Sequence, residues 1–422
     1  MTLRDEALQM RLDVHGILET KLKYPLNDGH DLAVAYTPGA AEPCKEIKEK
    51  PDMAFEYTAR GNLVGICTDG TRVLGLGDIG AAAAYPVMEG KAVLFKRFGG
   101  VDAIPVCIDD KDPDKFIAIV KALEPSFAAI NLEDISSPKC YDIEDKLKEI
   151  MNIPVFHDDQ HGTAIAAVSA VLGALRFVKK DFKTAKIIMN GCGAAGSSIG
   201  RLLAEMGAEN VIMCGRKDTL YEGCDWGRPL DRVQQLLCKI TNKNKESGTL
   251  KEVAVGADVL IGASGPGVFT ADIIKSMAPD SIVFGLANPV PEAMYPDAKA
   301  AGARVAGTGR SDAPNQVNNV NVFPGVFRGA IDVRATEINE EMKIAATYAI
   351  ANLIDEKDLR EDYVVPNAFD KRVGPAVAAA VAKAAIETGV ARSHDMTPTD
   401  VAAHTRALLA GTGRKQQVSA SA

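Results

Sequence analysis

From Thr163 onward the apolar residues fall into blocks of two kinds. TAIAAVSAVLGALRFV and SSIGRLLAEMG carry apolar side chains at helical spacing, whereas KIIMN and NVIMC are short, almost wholly apolar runs. Runs of that kind between helices are what strands buried on both faces of a parallel sheet require. Further strands are predicted at residues 258–261 (DVLI), 281–286 (SIVFGL) and 303–306 (ARVA). The alternation predicts a doubly wound α/β domain with helices on both faces of the sheet. Residues 242–247 (NKNKES) read as a surface loop, the chain from Gly325 as closing helices, and the last dozen residues, rich in Ser, Gln and Ala, as a disordered tail.

The first 160 residues mix helices with short apolar strands and show no repeat. Residues 62–67 (NLVGIC) and 72–76 (RVLGL) flank Asp69-Gly70, a tight-turn dipeptide, and so predict a β-hairpin. Residues 91–98 (KAVLFKRF) read as a helix after Pro86, and 103–108 (AIPVCI) as a buried strand. Two more apolar runs, 127–132 (FAAINL) and 153–156 (IPVF), each end in carboxylates.

Composition narrows the class without naming a chemistry. A chain of 422 residues with 47% hydrophobic content supplies two or three cores. Its net charge of −8 contains no basic block, so neither nucleic acid nor a membrane surface is an expected partner. No apolar run approaches a bilayer span and the N-terminus is too acidic for a signal peptide, which predicts a cytoplasmic protein. The eight scattered cysteines include no Cys-x-x-Cys pair and read as reduced thiols.

The clearest local motif is Gly191-Cys192-Gly193-Ala194-Ala195-Gly196, directly after the strand KIIMN and opening the next helix. Glycines there permit a tight turn and let the backbone approach a pyrophosphate at the positive end of a helix. The strand, helix and second strand have the lengths that a dinucleotide site requires. An acid near the end of the second strand would bond the ribose of NAD, but the segment runs Met213-Cys214-Gly215-Arg216-Lys217. Arg216 and Lys217 are placed to pair with the 2′-phosphate of NADP, although two basic residues after a strand are also ordinary surface, and Asp218 lies close by.

Glu133-Asp134 and Asp158-Asp159 end separate predicted strands, and ligands collect outside the carboxyl ends of strands. Their oxygens suit Mg²⁺ or Mn²⁺, and solvated strand caps are the equally weighted alternative. Lys91 in EGKA, Tyr36 in AYTPG, Arg72 past the Asp-Gly turn, and the turn residues Asn288-Pro289 and Asn318-Asn319 stay undecided on chemistry alone.

AYTPGAAEPCKEI, TDGTRVLGLGDIG, MEGKAVLFKRFGGVDAIPVCID, INLEDI, PVFHDDQHGTA, GCGAAG, LANP and NNVNVFPGVF, in that order, resemble the malic enzyme family in its short bacterial form. The resemblance implies an N-terminal mixed α/β substrate and metal domain over 1–160. A Rossmann-type NAD(P)-binding domain with closing helices would follow over 161–389, and a helix and tail over 390–422. It further implies Tyr36 as general acid, Lys91 as general base supported by Asp158, and Glu133, Asp134 and Asp159 as metal ligands. Arg72, Lys91, Asn288 and Asn319 would bind substrate, the two asparagines also lining the nicotinamide side. The pyrophosphate loop would be Gly193, Ala194 and Ala195. The implied reaction is oxidative decarboxylation of malate to pyruvate and CO₂, with NADP or NAD and Mg²⁺ or Mn²⁺, in a homodimer. Lys91 acts as a base only if burial and a nearby cation lower its pKa. The alternatives are a malolactic-type enzyme, an amino-acid dehydrogenase that would have no use for the LED and HDD acids, and an inactive cofactor-binding regulator.

Overall fold

The computed structural model describes residues 2–411 apart from Leu74 and Lys217, so the expected tail past 411 and the expected phosphate contact of Lys217 lie outside the described residues. The chain opens with α1 (Leu3–Val14), α2 (Gly29–Ala35), α3 (Ala41–Glu49) and the short α4 (Ala54–Tyr57). Thr2 and Asp28 cap α1 and α2, each side chain accepting the backbone N–H three residues on. No described residue before Asn62 is buried.

A first sheet follows, made of β1 (Leu63–Thr68), β2 (Asp102–Cys107), β3 (Ala129–Leu132) and β4 (Val155–His157). The connecting helices are α5 (Ala81–Gly99), α6 (Pro113–Ala122) and α7 (Lys139–Ile150). All pairings are parallel in the order β2-β1-β3-β4. The predicted hairpin is not formed. Both edges of β1 are taken by parallel neighbours, leaving none for an antiparallel return, and the segment after Asp69-Gly70 is a loop with one isolated bridge, Val73 to Gly77. Nor does the helix wait for Pro86: α5 starts at Ala81 and carries the proline inside it, at the expense of one helical hydrogen bond.

The 21-residue α8 (Asp158–Val178) then runs through the middle of the molecule. By length and composition it is the one described helix able to cross a membrane, but 72% of its most apolar window is buried inside the protein. The second sheet comprises β5 (Ile187–Asn190), β6 (Val211–Cys214), β7 (Val259–Gly262), β8 (Ile282–Gly285) and β9 (Val305–Thr308). The helices between them are α9 (Ala194–Glu205), α10 (Arg232–Ile240), α11 (Leu250–Val253), α12 (Ala271–Ser276) and α13 (Tyr295–Ala300). This sheet is also wholly parallel, in the order β6-β5-β7-β8-β9, as the apolar runs predict.

Four helices finish the chain: α14 (Phe323–Asp332), α15 (Glu340–Ala351), α16 (Val373–Glu387) and α17 (Pro398–Leu409). They do not simply close the second sheet. Phe323 and Phe327 of α14 pack on Phe95 of α5 with ring centroids 4.6 and 5.0 Å apart, and Phe327 meets Phe156 of β4 at 5.7 Å. All four rings are fully buried, so this cluster fastens the end of the chain to the first sheet. Phe95→Ala is expected to cost about 3–5 kcal/mol, measured as a lowered urea midpoint with an unchanged slope.

Candidate active site

Strand order reverses between β1 and β3 in the first sheet and between β5 and β7 in the second. A reversal sends the flanking connections to opposite faces and opens a crevice at the carboxyl ends of the strands. The expected site residues other than Tyr36 sit at or beside these two crevices. Glu133 and Asp134 follow β3, and Asp158 and Asp159 begin α8 directly after β4. Asp134 takes a left-handed conformation with φ 55°, which turns the chain back over the strand end. One oxygen each from Glu133, Asp134 and Asp159 lies within 4.8 Å of the others. Asp159 Oδ2 accepts the Asp134 backbone N–H at 2.8 Å and lies 3.1 Å from His157 Nε2.

Lys91 comes from the buried face of α5 and is only 7% exposed. Its Nζ donates to Glu133 Oε1 at 2.9 Å and to Asp158 Oδ2, and stands 4.2 Å above the Phe323 ring. Asn319, between β9 and α14, also donates to Asp158 Oδ2, so Asp158 gathers groups from both parts of the chain. Burial opposes the charge on Lys91, as the sequence suggests, but the Asp158 and Glu133 carboxylates outweigh it and the net direction of the pKa is upward. Burial likewise pushes Asp158 up and Glu133 well above the usual carboxylate range, against the pull of Lys91. Asp159 is held low: burial would raise it, but His157 prevails.

The four carboxylates of Glu133, Asp134, Asp158 and Asp159 thus outnumber the two cationic side chains that meet them, Lys91 and His157, and Asp158 Oδ1 is buried with no hydrogen-bond partner. Three hard oxygen donors converging beside that excess of negative charge fit a Mg²⁺ or Mn²⁺ ion.

The second crevice holds the glycine motif. Gly191 has φ 122°, and a Cβ there would meet Ala263 O at 2.4 Å. At Gly196 a Cβ would lie 2.1 Å from Gly191 O, whereas Gly193 is open. Gly193 also caps α9 without a side-chain partner, and Gly191, Cys192 and Gly193 line a cleft of about 1320 Å³. Arg72, Cys192, Arg216 and Ser264 line that cleft. The Arg72 backbone N–H bonds Asp134 O at 2.9 Å, which connects the cleft wall to the carboxylate cluster. Asn288 is exposed after β8, where its carbonyl approaches Gly75. Arg216 is exposed and has no ion-pair partner among the described residues. Asp218 is engaged elsewhere: its carboxylate accepts the N–H groups of Thr219 at 2.7 Å and Gly248 at 2.8 Å.

Residues 15–113 and 110–148 match the family described as malic enzyme, N-terminal domain, and residues 160–386 match malic enzyme, NAD binding domain. The chain belongs to the malic enzyme family. Within that family it is 54% identical over 408 residues to the bifunctional malic/malolactic enzyme of Bacillus subtilis strain 168, covering 97% of this chain and 99% of that one. It is 47% identical to the NADP-dependent malic enzyme of Escherichia coli K12, with 92% of this chain but 53% of the relative covered. The crystal structure of a malic enzyme from Pyrococcus horikoshii superposes with a TM-score of 0.91 at 45% identity, covering 97% and 96% of the two chains.

One expected residue of this malic enzyme family member stands apart. Tyr36, at the C-terminal end of α2, is 71% exposed, and no hydrogen bond, ion pair or ring contact joins it to Lys91 or the carboxylates. Three residues that the sequence reading passed over take part. Asn131 of β3 donates to Glu133 Oε2 at 2.8 Å, and a lone amide in an apolar strand is a signal for it. His157 holds Asp159, and its place beside the acid pair in HDD is the corresponding signal. Fully buried Glu292 accepts the N–H groups of Ser264 at 2.6 Å and Ala287 at 2.9 Å, tying together two cleft loops; nothing local marks it.

Because the Gly196 Cβ position is filled by backbone, Gly196→Val should abolish dinucleotide binding. Protein fluorescence titrated with NADPH should show no saturable change, while the far-ultraviolet circular dichroism stays that of the parent. Retained binding would refute the pyrophosphate role of this loop.

Proposed function

We propose that the chain oxidises (S)-malate and decarboxylates it to pyruvate and CO₂, with Lys91 as base, Tyr36 as acid and NADP as the preferred acceptor. The observation that carries this is the buried Lys91 between Asp158 and Glu133, beside three convergent carboxylate oxygens and next to the glycine-lined cleft. When bound, the nicotinamide supplies the hydride acceptor, and the divalent cation on Glu133, Asp134 and Asp159 supplies neutralisation of charge on the substrate oxygen.

Lys91 takes the C2 hydroxyl proton, Asp158 holding the amine and Asn319 holding Asp158; for this a cation on Glu133, Asp134 and Asp159 would have to offset the carboxylates that raise the lysine pKa. Arg72 and Asn288 bind the substrate carboxylates. Loss of the β-carboxyl as CO₂ leaves its electron pair in the enolate of pyruvate. Tyr36 protonates the C3 carbon, which completes the keto product, and the proton held on Lys91 restores the Tyr36 hydroxyl for the next turnover. The same groups suit decarboxylation of oxaloacetate, which enters after the oxidation step. Arg216 takes the 2′-phosphate of NADP, and Asp218, the acid beside it in sequence, is bound to its own loop and turned away from selecting the ribose of NAD.

The bifunctional relative motivates a second reading, in which the cofactor is retained and the intermediate is reduced to lactate. Chromatography of the products from malate, Mn²⁺ and each nicotinamide cofactor separates the two: pyruvate with stoichiometric NADPH is expected, and lactate without net reduction would replace this reading.

Asp159→Asn should raise the Mn²⁺ concentration needed for half-maximal rate at least tenfold, with NADPH binding retained; an unchanged Mn²⁺ titration would sink the metal assignment. Lys91→Ala should abolish malate oxidation. Tyr36→Phe should mainly slow deuterium exchange into the pyruvate methyl group, and wild-type exchange would remove it as the acid. Losing a charge-assisted phosphate contact worth about 1.5–3 kcal/mol, Arg216→Ala should weaken NADP roughly 10–100-fold and NAD hardly at all. Equal effects on the two cofactors would refute the phosphate role.

A further inference from the structure

One fully buried carboxylate beside the site touches none of the reacting groups. Glu144 lies on α7, and its side chain is 3% exposed. The inward face of that helix is otherwise formed by Cys140, Tyr141, Ile143 and Leu147, which recur at the spacing of one helical stripe. An apolar residue at 144 would complete the stripe. A charge there is lifted out of water and must be met on all sides.

Four groups meet it. Lys148, one turn along α7, pairs with Glu144 Oε1 at 2.7 Å. His161 Nε2 lies 2.8 and 2.9 Å from the two carboxylate oxygens. Gln160 Nε2 donates to Oε2 at 2.9 Å, and the backbone N–H of His157 donates to Oε1 at 3.3 Å. Three of these four come from one short run of sequence, the end of β4 and the first turn of α8, interleaved with Asp158 and Asp159. That turn therefore has two sides. Asp158 meets Lys91 and Asp159 meets Asp134, while Gln160 and His161 meet Glu144.

Glu144 is also connected to the carboxylate cluster itself. The Gln160 amide group that binds it lies 2.8 Å from His157 Nδ1, and the other nitrogen of that ring, Nε2, stands 3.1 Å from Asp159 Oδ2. His157 is wholly buried, so its ring has no solvent to turn towards. The residue is gripped at both ring nitrogens and at its backbone, and two of those three grips lead to Glu144. Asp159 Oδ2 accepts the Asp134 N–H as well, and the two contacts together set the plane of the Asp159 carboxylate. The far side of Glu144 is fixed too, because His161 Nδ1 lies 3.3 Å from Lys343 of α15, which pairs with Glu340 at 2.6 Å.

We propose that Glu144 is a positioning residue for the divalent cation: it fixes Gln160, and through Gln160 and His157 it presents Asp159 in the orientation that the cation takes. This rests on the reading of Glu133, Asp134 and Asp159 as the cation's ligands. A side chain that holds a ligand from behind sets how ready that ligand is to bind, and its loss typically weakens the metal by about 10–100-fold.

Gln160→Met tests the connection, since methionine keeps the length of the side chain and loses the amide, while Glu144 keeps Lys148, His161 and the His157 N–H. Mn²⁺ binding is read without substrate or turnover, from the fall of the free Mn²⁺ electron paramagnetic resonance signal as protein is added. The dissociation constant should rise about 10–100-fold. NADPH affinity, read by fluorescence, should hold at its wild-type value, and the rate lost at limiting Mn²⁺ should return as Mn²⁺ is raised. A wild-type Mn²⁺ constant would overturn the proposal, and so would an equal loss of Mn²⁺ and NADPH affinity, which marks general damage to the fold.

Glu144→Gln, of the same shape without the charge, tests the residue itself. It should weaken Mn²⁺ over the same range, and the double variant with Gln160→Met should be no weaker than the worse single one, because residues acting along one route do not add. Losses that multiply, or a folded Glu144→Gln with wild-type Mn²⁺ affinity, would overturn the role; if Glu144→Gln does not fold, Gln160→Met decides. Asp159→Asn in the same titration separates the two readings. Should it bind Mn²⁺ as the wild type does, the ligand assignment fails and the positioning role with it. Should it lose Mn²⁺ while Gln160→Met keeps it, the ligands stand and only the role of Glu144 falls.

Discussion

Lys91 is buried with its ammonium group against two carboxylates and an aromatic ring, and the placement of much of the first sheet follows from meeting that demand. A buried charge is tolerated only when it is paired and hydrogen-bonded on every side, and removing one partner leaves the others uncompensated. The partners here come from four places. Glu133 ends β3, Asp158 begins α8 after β4, Phe323 begins α14, and Asn319 stands just before α14 and fixes the Asp158 oxygen that Lys91 uses. Parallel pairing brings the ends of β3 and β4 side by side, which an antiparallel arrangement of the same strands would not do. The phenylalanine cluster a turn further along α5 holds Lys91 at that depth.

The sequence makes some of this plain and conceals the rest for physical reasons. Strands buried on both faces leave continuous apolar runs, so β5 to β9 are directly readable, as is the glycine turn whose tightness is a backbone property. The pairing of β1 is hidden, because Asp69-Gly70 signals a turn but not whether the next segment finds a free edge. Asp134 and Asp159 are visible as acids at strand ends. Their convergence exists only in three dimensions, since solvated caps have the same local signature. Glu292 acts through loops distant in sequence, and no pattern near it announces a buried carboxylate. Tyr36 is recognisable by its motif, but the motif carries no information about its exposed place at the end of α2.

The path of the chain between the two sheets has a mechanical consequence. The polypeptide leaves the first sheet once, at Asp158 where α8 begins, and returns once, through Asn319 into α14, which docks on α5. The five-stranded sheet is therefore an insert with two covalent roots, and Asp158 and Asn319, one at each root, are hydrogen-bonded to each other. Arg232 of α10 adds ion pairs to Asp142 and Asp145 of α7. The contact that orients the lysine is thus also a clasp between the two sheets, so the catalytic amine is seated only when the insert is.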